Sequence, residues 1–294
     1  MREAQLGPST AIAHRRLHFY ILGGLLFLVS ALILVGNPAS GAPDAPDHTA
    51  LIARMREAAL TYADRLQDFI CTQITTRSAD KSGTGKHWKL LEVQEVELSY
   101  VAHKENYVLL KVNGRSENID KGIQPGYFRP GGEFGTALKS IFDSKADAEF
   151  NWDHEEPDGG QRLCVFRYRV PQATSMRGLQ VDSDKVVFAY HGFVYANCES
   201  GAVMRIQIET EPAAVTRKGR RLAVGTQLDL RYRPTAIGTK EFLLPQSAEE
   251  VSRFGQTLTR AEIQFQKYQK FQADSKIIFD QEGQKPKTIP EPQR

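Results

Sequence analysis

Few residues of this sequence have both the type and the spacing that chemistry requires. The stretch 153-DHEE-156 offers carboxylate and imidazole ligands for a metal ion. Alternate side chains of an extended strand point to opposite faces, so at most two of these four could converge on one ion. We therefore predict a solvated strand end here. The sequence contains no HExxH zinc motif and no GxSxG nucleophile elbow, and 82-SGTGK-86 lacks the spacing of a phosphate loop. No catalytic residue, metal site or cofactor is predicted, so an enzyme is not expected.

The three cysteines, Cys71, Cys164 and Cys198, form no CxxC pair. An odd count leaves at least one thiol unpaired in an oxidising compartment. Cys71 lies near the end of a predicted helix, where the helix dipole disfavours a thiolate nucleophile. We expect Cys164 to be buried on a strand and Cys198 to be exposed on a hairpin turn. No disulfide bond is predicted between them.

Charge argues against binding to nucleic acid. The formal net charge is +3, and residues 1–41 hold three arginines and one glutamate, so the rest of the chain is nearly neutral. The loop 216-TRKGRR-221 is locally basic and could contact anionic lipid headgroups or a partner protein. The alternative is an ordinary solvated loop. The candidate contact residues are Arg217, Lys218, Arg220 and Arg221.

The N-terminus has the composition of an export segment. Arg15 and Arg16 precede the apolar run 19–35, and small residues follow it. This order is typical of a signal peptide cleaved after residue 41, but a run of this length also approaches the minimum for a membrane anchor. Both alternatives remain open. Both place the rest of the chain outside the cytoplasm, in the periplasm or an equivalent space, with attachment to the inner membrane if residues 19–35 are retained.

The elements that must position any site change character along the chain. After a Pro-rich linker, 42–47, apolar residues in 48–72 recur at steps of three or four, which predicts one long amphipathic helix with Asp47 as its N-cap. From residue 73 the apolar period becomes two, which is typical of antiparallel strands with one buried face. We expect at least seven such strands over 87–271.

Two other segments interrupt or follow these strands. A Gly/Pro-rich loop at 121–132 leads into a short inserted helix, 133–143, whose apolar residues share one side. Residues 281–294 contain three prolines and no aromatic residue, so we predict a disordered tail. The remaining chain, 48–280, is predicted to be a single β-rich domain.

The predicted hairpin at 185–210 carries more aromatic surface than an edge hairpin needs. Its first strand has two aromatic pairs of opposite parity. A β-bulge at His191–Gly192 would bring both pairs to one concave face. That face could line a ligand cavity, or it could be packed core. The predicted ligand-binding residues are Phe188, Tyr190, Phe193, Tyr195, Met204, Ile206 and Ile208.

A long N-terminal helix, antiparallel strands, an inserted helix and export together resemble the lipoprotein-carrier fold. Members of that fold include LolA, the mycobacterial lipid-binding lipoproteins and the N-terminal domain of RseB. This chain has no lipobox, and no site motif of those families can be placed on it. The sequence is also similar to a group of uncharacterised exported bacterial proteins, many from acidobacteria. This similarity is carried by 69-FICTQITTR-77, 106-NYVLLKVNG-114, 133-EFGTALKSIFD-143, 149-EFNWDH-154 and 190-YHGFVYANCESGAVMRI-206.

The resemblance implies an α+β, mostly β fold. A curved antiparallel sheet, or half-open barrel, would wrap around the long N-terminal helix and the short inserted helix. It also implies a non-catalytic cell-envelope protein that binds a lipid or acyl chain, including that of a lipoprotein. The alternative is an interaction or sensing module for an envelope protein. Fold analogy does not fix function. An open apolar cavity would favour the first, and a filled core with an exposed apolar patch the second.

Overall fold

The computed structural model describes residues 48–116 and 133–271. Within these ranges no helix has the length and the hydropathy needed to span a membrane. Four predicted segments lie outside the described residues and stay predictions: 1–41, 42–47 with Asp47, 121–132 and 281–294.

Most of the described chain forms one antiparallel sheet of twelve strands, which confirms the predicted strand-rich architecture. The strand order is β4-β3-β2-β1-β14-β13-β12-β10-β9-β6-β5, with β11 paired to β12, and β7 pairs with β8 in a separate hairpin. In the described ranges the sheet is not closed, because β4 and β5 form its two edges. The strands are β1 (Phe69–Asp80), β2 (Lys89–Val101), β3 (Lys104–Val112), β4 (Arg115–Ser116), β5 (Glu149–Asp158), β6 (Gln161–Val170), β7 (Gly178–Val181), β8 (Asp184–Val187), β9 (Tyr190–Asn197), β10 (Val203–Thr210), β11 (Ala213–Arg217), β12 (Arg220–Ile237), β13 (Lys240–Phe254) and β14 (Thr257–Lys270).

The N-terminal helix is shorter than the sequence pattern predicts. Helix α1 spans Thr49–Leu60 and α2 spans Tyr62–Arg65, and Leu66 is already extended. The predicted helix 48–72 is therefore wrong beyond residue 65. Residues 69–80 form β1, which pairs with β2 on one side and β14 on the other. Hydrogen bonds along both edges of this strand outweigh the helical spacing of its first apolar residues.

The inserted helix lies where it is expected. Helix α3 spans Thr136–Phe142, within the predicted 133–143. Apolar side chains of all three helices share one buried cluster with the inward faces of the strands, so the helices cover the inner face of the sheet. This part of the expected architecture is confirmed.

The β9–β10 turn fixes the position of α1. Gly201 has a φ of 75°, and a Cβ placed on it would lie 2.7 Å from the Cβ of Arg54 and 2.9 Å from the backbone nitrogen of Met55. Any other residue here would push the turn away from the helix. Arg54 also donates a hydrogen bond to the Cys198 carbonyl at 3.4 Å. Glycine thus allows the turn to pack directly on the backbone of α1.

Cys164 and Cys198 form a disulfide bond, which contradicts the expectation that they stay apart. Cys164 is buried as expected, but Cys198 is only partly exposed. Cys164 lies opposite Ala196 on β9, and the Cys198 amide continues that pairing by donating to the Arg162 carbonyl. The two cysteines are therefore diagonal neighbours on one face of the sheet. Their sequence separation is 34 residues, and closing such a loop contributes about 3–4 kcal/mol in the chain-entropy account.

We expect a thiol reagent to detect one thiol per chain in denaturant without reductant, and three after reduction. Cys71 is the free and buried cysteine, so it supplies that single thiol. A Cys71→Ser variant is the control and should react only after reduction. Three reactive thiols in unreduced protein would contradict the disulfide.

Replacing both Cys164 and Cys198 by alanine should lower the free energy of unfolding by about 2–4 kcal/mol in urea denaturation.

Candidate ligand-binding site

The aromatic hairpin occupies β9 and β10, and its first strand is not bulged. The stretch Tyr190 to Tyr195 pairs without interruption with both β6 and β10, so the predicted bulge at His191–Gly192 is wrong. The register irregularity lies instead on the return strand, at Met204. Side chains therefore alternate along β9, and Tyr190 and Phe193 point to opposite faces of the sheet.

Gly192 allows β9 and β10 to pack closely and does not form a bulge. A Cβ at this position would lie 1.9 Å from the carbonyl oxygen of Gln207 on the neighbouring strand. The hydroxyl of Tyr168, which pairs with Gly192 across β6 and β9, donates to the same carbonyl at 3.0 Å. A glycine beside an aromatic ring on the next strand is a common arrangement where two backbones approach closely.

The seven predicted ligand-binding residues are divided among three apolar clusters, so the expected common face is not formed. Three of them are buried in the main core beneath the helices, three lie on the opposite face of the sheet, and one lies in a small cluster near β11. These groups are Tyr190, Ile206 and Ile208, then Phe193, Tyr195 and Met204, and finally Phe188.

Arginine side chains cover the aromatic pair on the outer face. The guanidinium of Arg205 lies 4.7 Å from the ring centroid of Tyr195, and that of Arg167 lies 6.0 Å from the ring of Phe193. Arg205 also makes a bidentate ion pair with Asp229. Cation–π contacts of this kind contribute about 0.5–1 kcal/mol at exposed sites. The outer aromatic residues therefore form a covered surface cluster.

The basic residues of 216–221 form a tight turn. Lys218 and Gly219 both have positive φ, as a two-residue hairpin requires, and Lys218, Arg220 and Arg221 are exposed. Arg217 is less free, because its guanidinium lies 5.7 Å from the ring of Phe254 and 3.6 Å from Asp182. Three cations therefore project into solvent. This exposure fits both predicted alternatives, a contact with lipid headgroups or a partner protein and an ordinary solvated loop.

The stretch 153–156 lies on β5, and its histidine and carboxylates pair with each other. His154 and Asp153 hydrogen bond to each other at 2.7 Å on an exposed stretch of β5. Glu155 lies close to the sulfur atoms of Cys164 and Cys198, but both sulfurs are used in the disulfide. Cys71 lies on β1 and not at a helix end, and burial raises the pKa of its thiol to about 12. A neutral buried thiol is a poor nucleophile.

An apolar cleft opens between the helices and the sheet, and we call it the helix–sheet cleft. It has a volume of about 220 Å³ and lies where α1, α2 and α3 face the starts of β10 and β13. Arg65 and Glu241 are exposed at its rim. The remaining lining residues are mostly small or apolar: Ala58, Ala59, Tyr62, Leu66, Leu138, Ala202, Val203, Phe242 and Leu243.

Two buried polar atoms near this cleft have no hydrogen-bond partner in the described part of the chain. One is the hydroxyl of Tyr62, a residue of the cleft lining, and the other is Oε2 of Glu133. Tyr232 links the two residues, because its ring packs edge-on at 5.6 Å from that of Tyr62 and its hydroxyl donates to the Glu133 carbonyl at 2.9 Å. Burial raises the pKa of the Glu133 carboxyl to about 7. Unpaired buried polar groups are costly, so they mark the place where a ligand atom would be useful.

The sequence pattern identified part of this lining but not the cleft. Ala58, Tyr62 and Leu66 belong to the apolar stripe of the predicted helix. Leu138 belongs to that of the inserted helix. Nothing in the spacing shows that the start of β13 faces them across a gap, because the two segments are about 180 residues apart in the chain.

No protein-family model and no curated protein matches the sequence. The chain is similar to a solved outer membrane lipoprotein-sorting protein domain from Vibrio parahaemolyticus, with 14% identity over 74% of this chain and 89% of that one and a TM-score of 0.33. It is also similar to a DUF1329 family protein from Desulfovibrio piger, with 10% identity over 77% of this chain and 92% of that one and a TM-score of 0.35. A LolA superfamily protein from Nitrosomonas europaea is similar as well, with 10% identity over 76% of this chain and 93% of that one and a TM-score of 0.28. At such TM-scores the function of this chain does not follow from these similarities.

Replacing Ile206 by alanine should destabilise the protein more than replacing Phe193 by alanine. Ile206 is fully buried under the helices, whereas Phe193 is only partly buried on the outer face. We expect Ile206→Ala to lower the free energy of unfolding by about 2–5 kcal/mol, as for other large-to-small core substitutions. Urea denaturation of both variants measures the difference. A larger loss for Phe193→Ala would contradict the faces assigned to β9 and β10.

The Glu133→Gln variant should be more stable than the wild type at alkaline pH. The raised carboxyl pKa means that the folded protein holds one more proton than the unfolded chain between about pH 4.5 and 7, so this group lowers stability as the pH rises through that window. Glutamine removes the penalty, which amounts to about 3 kcal/mol above pH 7. In urea unfolding, the wild type and the Glu133→Gln variant should have similar stabilities at about pH 4.5. At about pH 8 the variant should be more stable than the wild type. Equal differences at both values would exclude a raised pKa.

Proposed function

We propose that this protein is an exported, non-catalytic binding protein of the cell envelope, and that it holds an apolar chain, such as the acyl chain of a lipid or lipoprotein, in the helix–sheet cleft. The observation that carries the proposal is the cleft itself, an apolar opening of about 220 Å³ between the helical cover and the sheet. It is smaller than the roughly 300–1,000 Å³ usual for small-molecule pockets, so a narrow chain suits it better than a bulky ligand.

The energy of such binding comes from burial of methylene groups. Each one removed from water contributes about 0.8 kcal/mol. The Tyr62 hydroxyl, which has no hydrogen-bond partner among the described residues, offers one hydrogen bond to a carbonyl or ester oxygen of the same ligand. A single polar contact beside an apolar channel is the usual way in which a binding site orients a chain-like ligand.

The disulfide supports the predicted export. Disulfide bonds persist in oxidising compartments such as the periplasm and are rare in the cytosol. The bond between Cys164 and Cys198 closes across two strands and anchors the turn on which α1 packs. Membrane attachment through residues 19–35 remains an open alternative to cleavage.

The ligand-binding residues predicted on the aromatic hairpin do not line the proposed site. Tyr190, Ile206 and Ile208 belong to the same buried cluster as Leu138 and Val203 of the cleft lining. A longer chain would reach them only if α1 moved away from β10. The other predicted residues of the hairpin would then contribute to folding and not to ligand contact.

Two alanine-to-phenylalanine substitutions on α1 test the site. Ala58 lines the cleft and Ala53 is exposed on the same helix. We expect Ala58→Phe to fill the cleft and weaken binding of a dansyl-labelled undecanoic acid about tenfold or more, which corresponds to the loss of about two buried methylenes. Ala53→Phe should bind the probe as the wild type does. Fluorescence titration measures binding, and thermal unfolding confirms that both variants fold.

Competition by unlabelled fatty acids of different chain lengths gives a second test of binding. Competition by fatty acids of increasing length should strengthen by about fourfold for each added methylene until the cleft is full, and then level off. A protein that binds no probe, or two variants that bind it equally, would overturn the proposal. The interaction-module alternative would then be favoured, since Leu90 and Leu91 at the start of β2 are 62% and 49% exposed.

A further inference from the structure

We propose that a second cavity, formed beside α3 and distinct from the helix–sheet cleft, binds a phosphate group, and we call it the Lys139–Arg177 pocket. Its volume is about 550 Å³, within the range of small-molecule sites. Two cations and no acidic residue occur among the described residues that line it: Thr136, Lys139, Ser140, Met176, Arg177, Gly178, Phe188, Thr210 and Thr226.

Arg177 is held in place, and no acidic residue of the described ranges forms an ion pair with it. Its guanidinium lies 5.6 Å from the ring centroid of Tyr190, and its Nε is buried and makes no hydrogen bond within the described ranges. Its backbone is fixed as well, because its amide donates to Ser175 and its carbonyl accepts from the amide of Phe188. A positioned guanidinium with a buried, unused donor is suited to an incoming oxyanion.

Helix α3 brings the second cation to the pocket. Ser140 and Leu138 are buried, while Lys139 is exposed. The hydroxyl of Tyr190 donates to the carbonyl of Ser140, so the ring that supports Arg177 also anchors the helix that carries Lys139. The two cations therefore share one rigid support.

The chemistry of the lining favours a phosphate ester over a bare carboxylate. A phosphate group carries close to two negative charges and three acceptor oxygens, which matches one guanidinium and one ammonium group. The volume leaves room for an organic substituent, and Met176 and Phe188 offer apolar contact to it. That substituent could be the glycerol of a lipid headgroup or a small metabolite, since both present the same phosphate chemistry.

This inference does not rest on the proposed acyl site. Leu138 lines the helix–sheet cleft and Lys139 lines the Lys139–Arg177 pocket, so α3 contributes to both cavities through different residues. Fatty acids have no phosphate, and inorganic phosphate has no apolar chain. Failure of either proposal can therefore be recognised separately.

The test measures binding to the full-length protein by calorimetry with three probes: inorganic phosphate, glycerol 3-phosphate and a short-chain, soluble phosphatidic acid. We expect Arg177→Gln and Lys139→Gln each to weaken binding about tenfold or more, as loss of a charge-assisted hydrogen bond does. Arg177→Lys, which keeps the charge, should weaken it less. Matched controls are Lys104→Gln and Arg115→Gln, which remove exposed cations outside the pocket and should leave binding unchanged.

The pattern across probes identifies the source of the phosphate. Binding of the phosphatidic acid alone, lost in both pocket variants, supports the site and assigns it to a lipid headgroup. Binding of the two small probes with the same losses supports it and assigns it to a soluble phosphate. Lys139→Gln alters an exposed side chain, so it remains informative if Arg177→Gln fails to fold. No binding of any probe by the wild type, or equal binding by wild type and pocket variants, would overturn the proposal.

Discussion

The part of the chain that the structure describes depends on covering one face of a sheet that does not close. Over residues 48–116 and 133–271, twelve strands present an inner face lined by large apolar side chains, among them Phe166, Tyr232 and Leu230. The edge strands of this sheet, β4 and β5, do not pair with each other. A closed barrel would bury that face on itself. Here three short helices must cover it, and short helices have few contacts of their own with which to hold their place.

A few tight contacts hold the helices on the inner face of the sheet. Gly201 lets the β9–β10 turn pack on the backbone of α1, and the disulfide of Cys198 ties that turn to β6. The hydroxyls of Tyr100 and Tyr232 donate to the carbonyls of Ala63 and Glu133. These contacts hold the helical cover at defined points and leave the spaces between them unfilled.

Both cavities follow from that arrangement. Where α1 and α2 face β13, the gap is apolar and narrow, and where α3 faces the segment 176–178, it is wide and positively charged. The same helix cover therefore borders one cavity with a mostly apolar lining and another whose lining contains two cations. The aromatic residues predicted to share one ligand surface are divided among three clusters, and Tyr190 anchors α3 and supports Arg177.

The sequence by itself determined the local elements of this protein, whereas tertiary structure decided how they meet. Apolar alternation over 87–271 predicted antiparallel strands correctly, because side-chain direction in a strand depends only on residue parity. The same pattern could not show that 69–72 belong to a strand, since pairing with β2 and β14 overrides helical spacing. Nor could it place Gly192 against Gln207 or Cys164 beside Cys198. Those contacts depend on the register between strands that are distant in the chain, and local residue patterns do not determine that register.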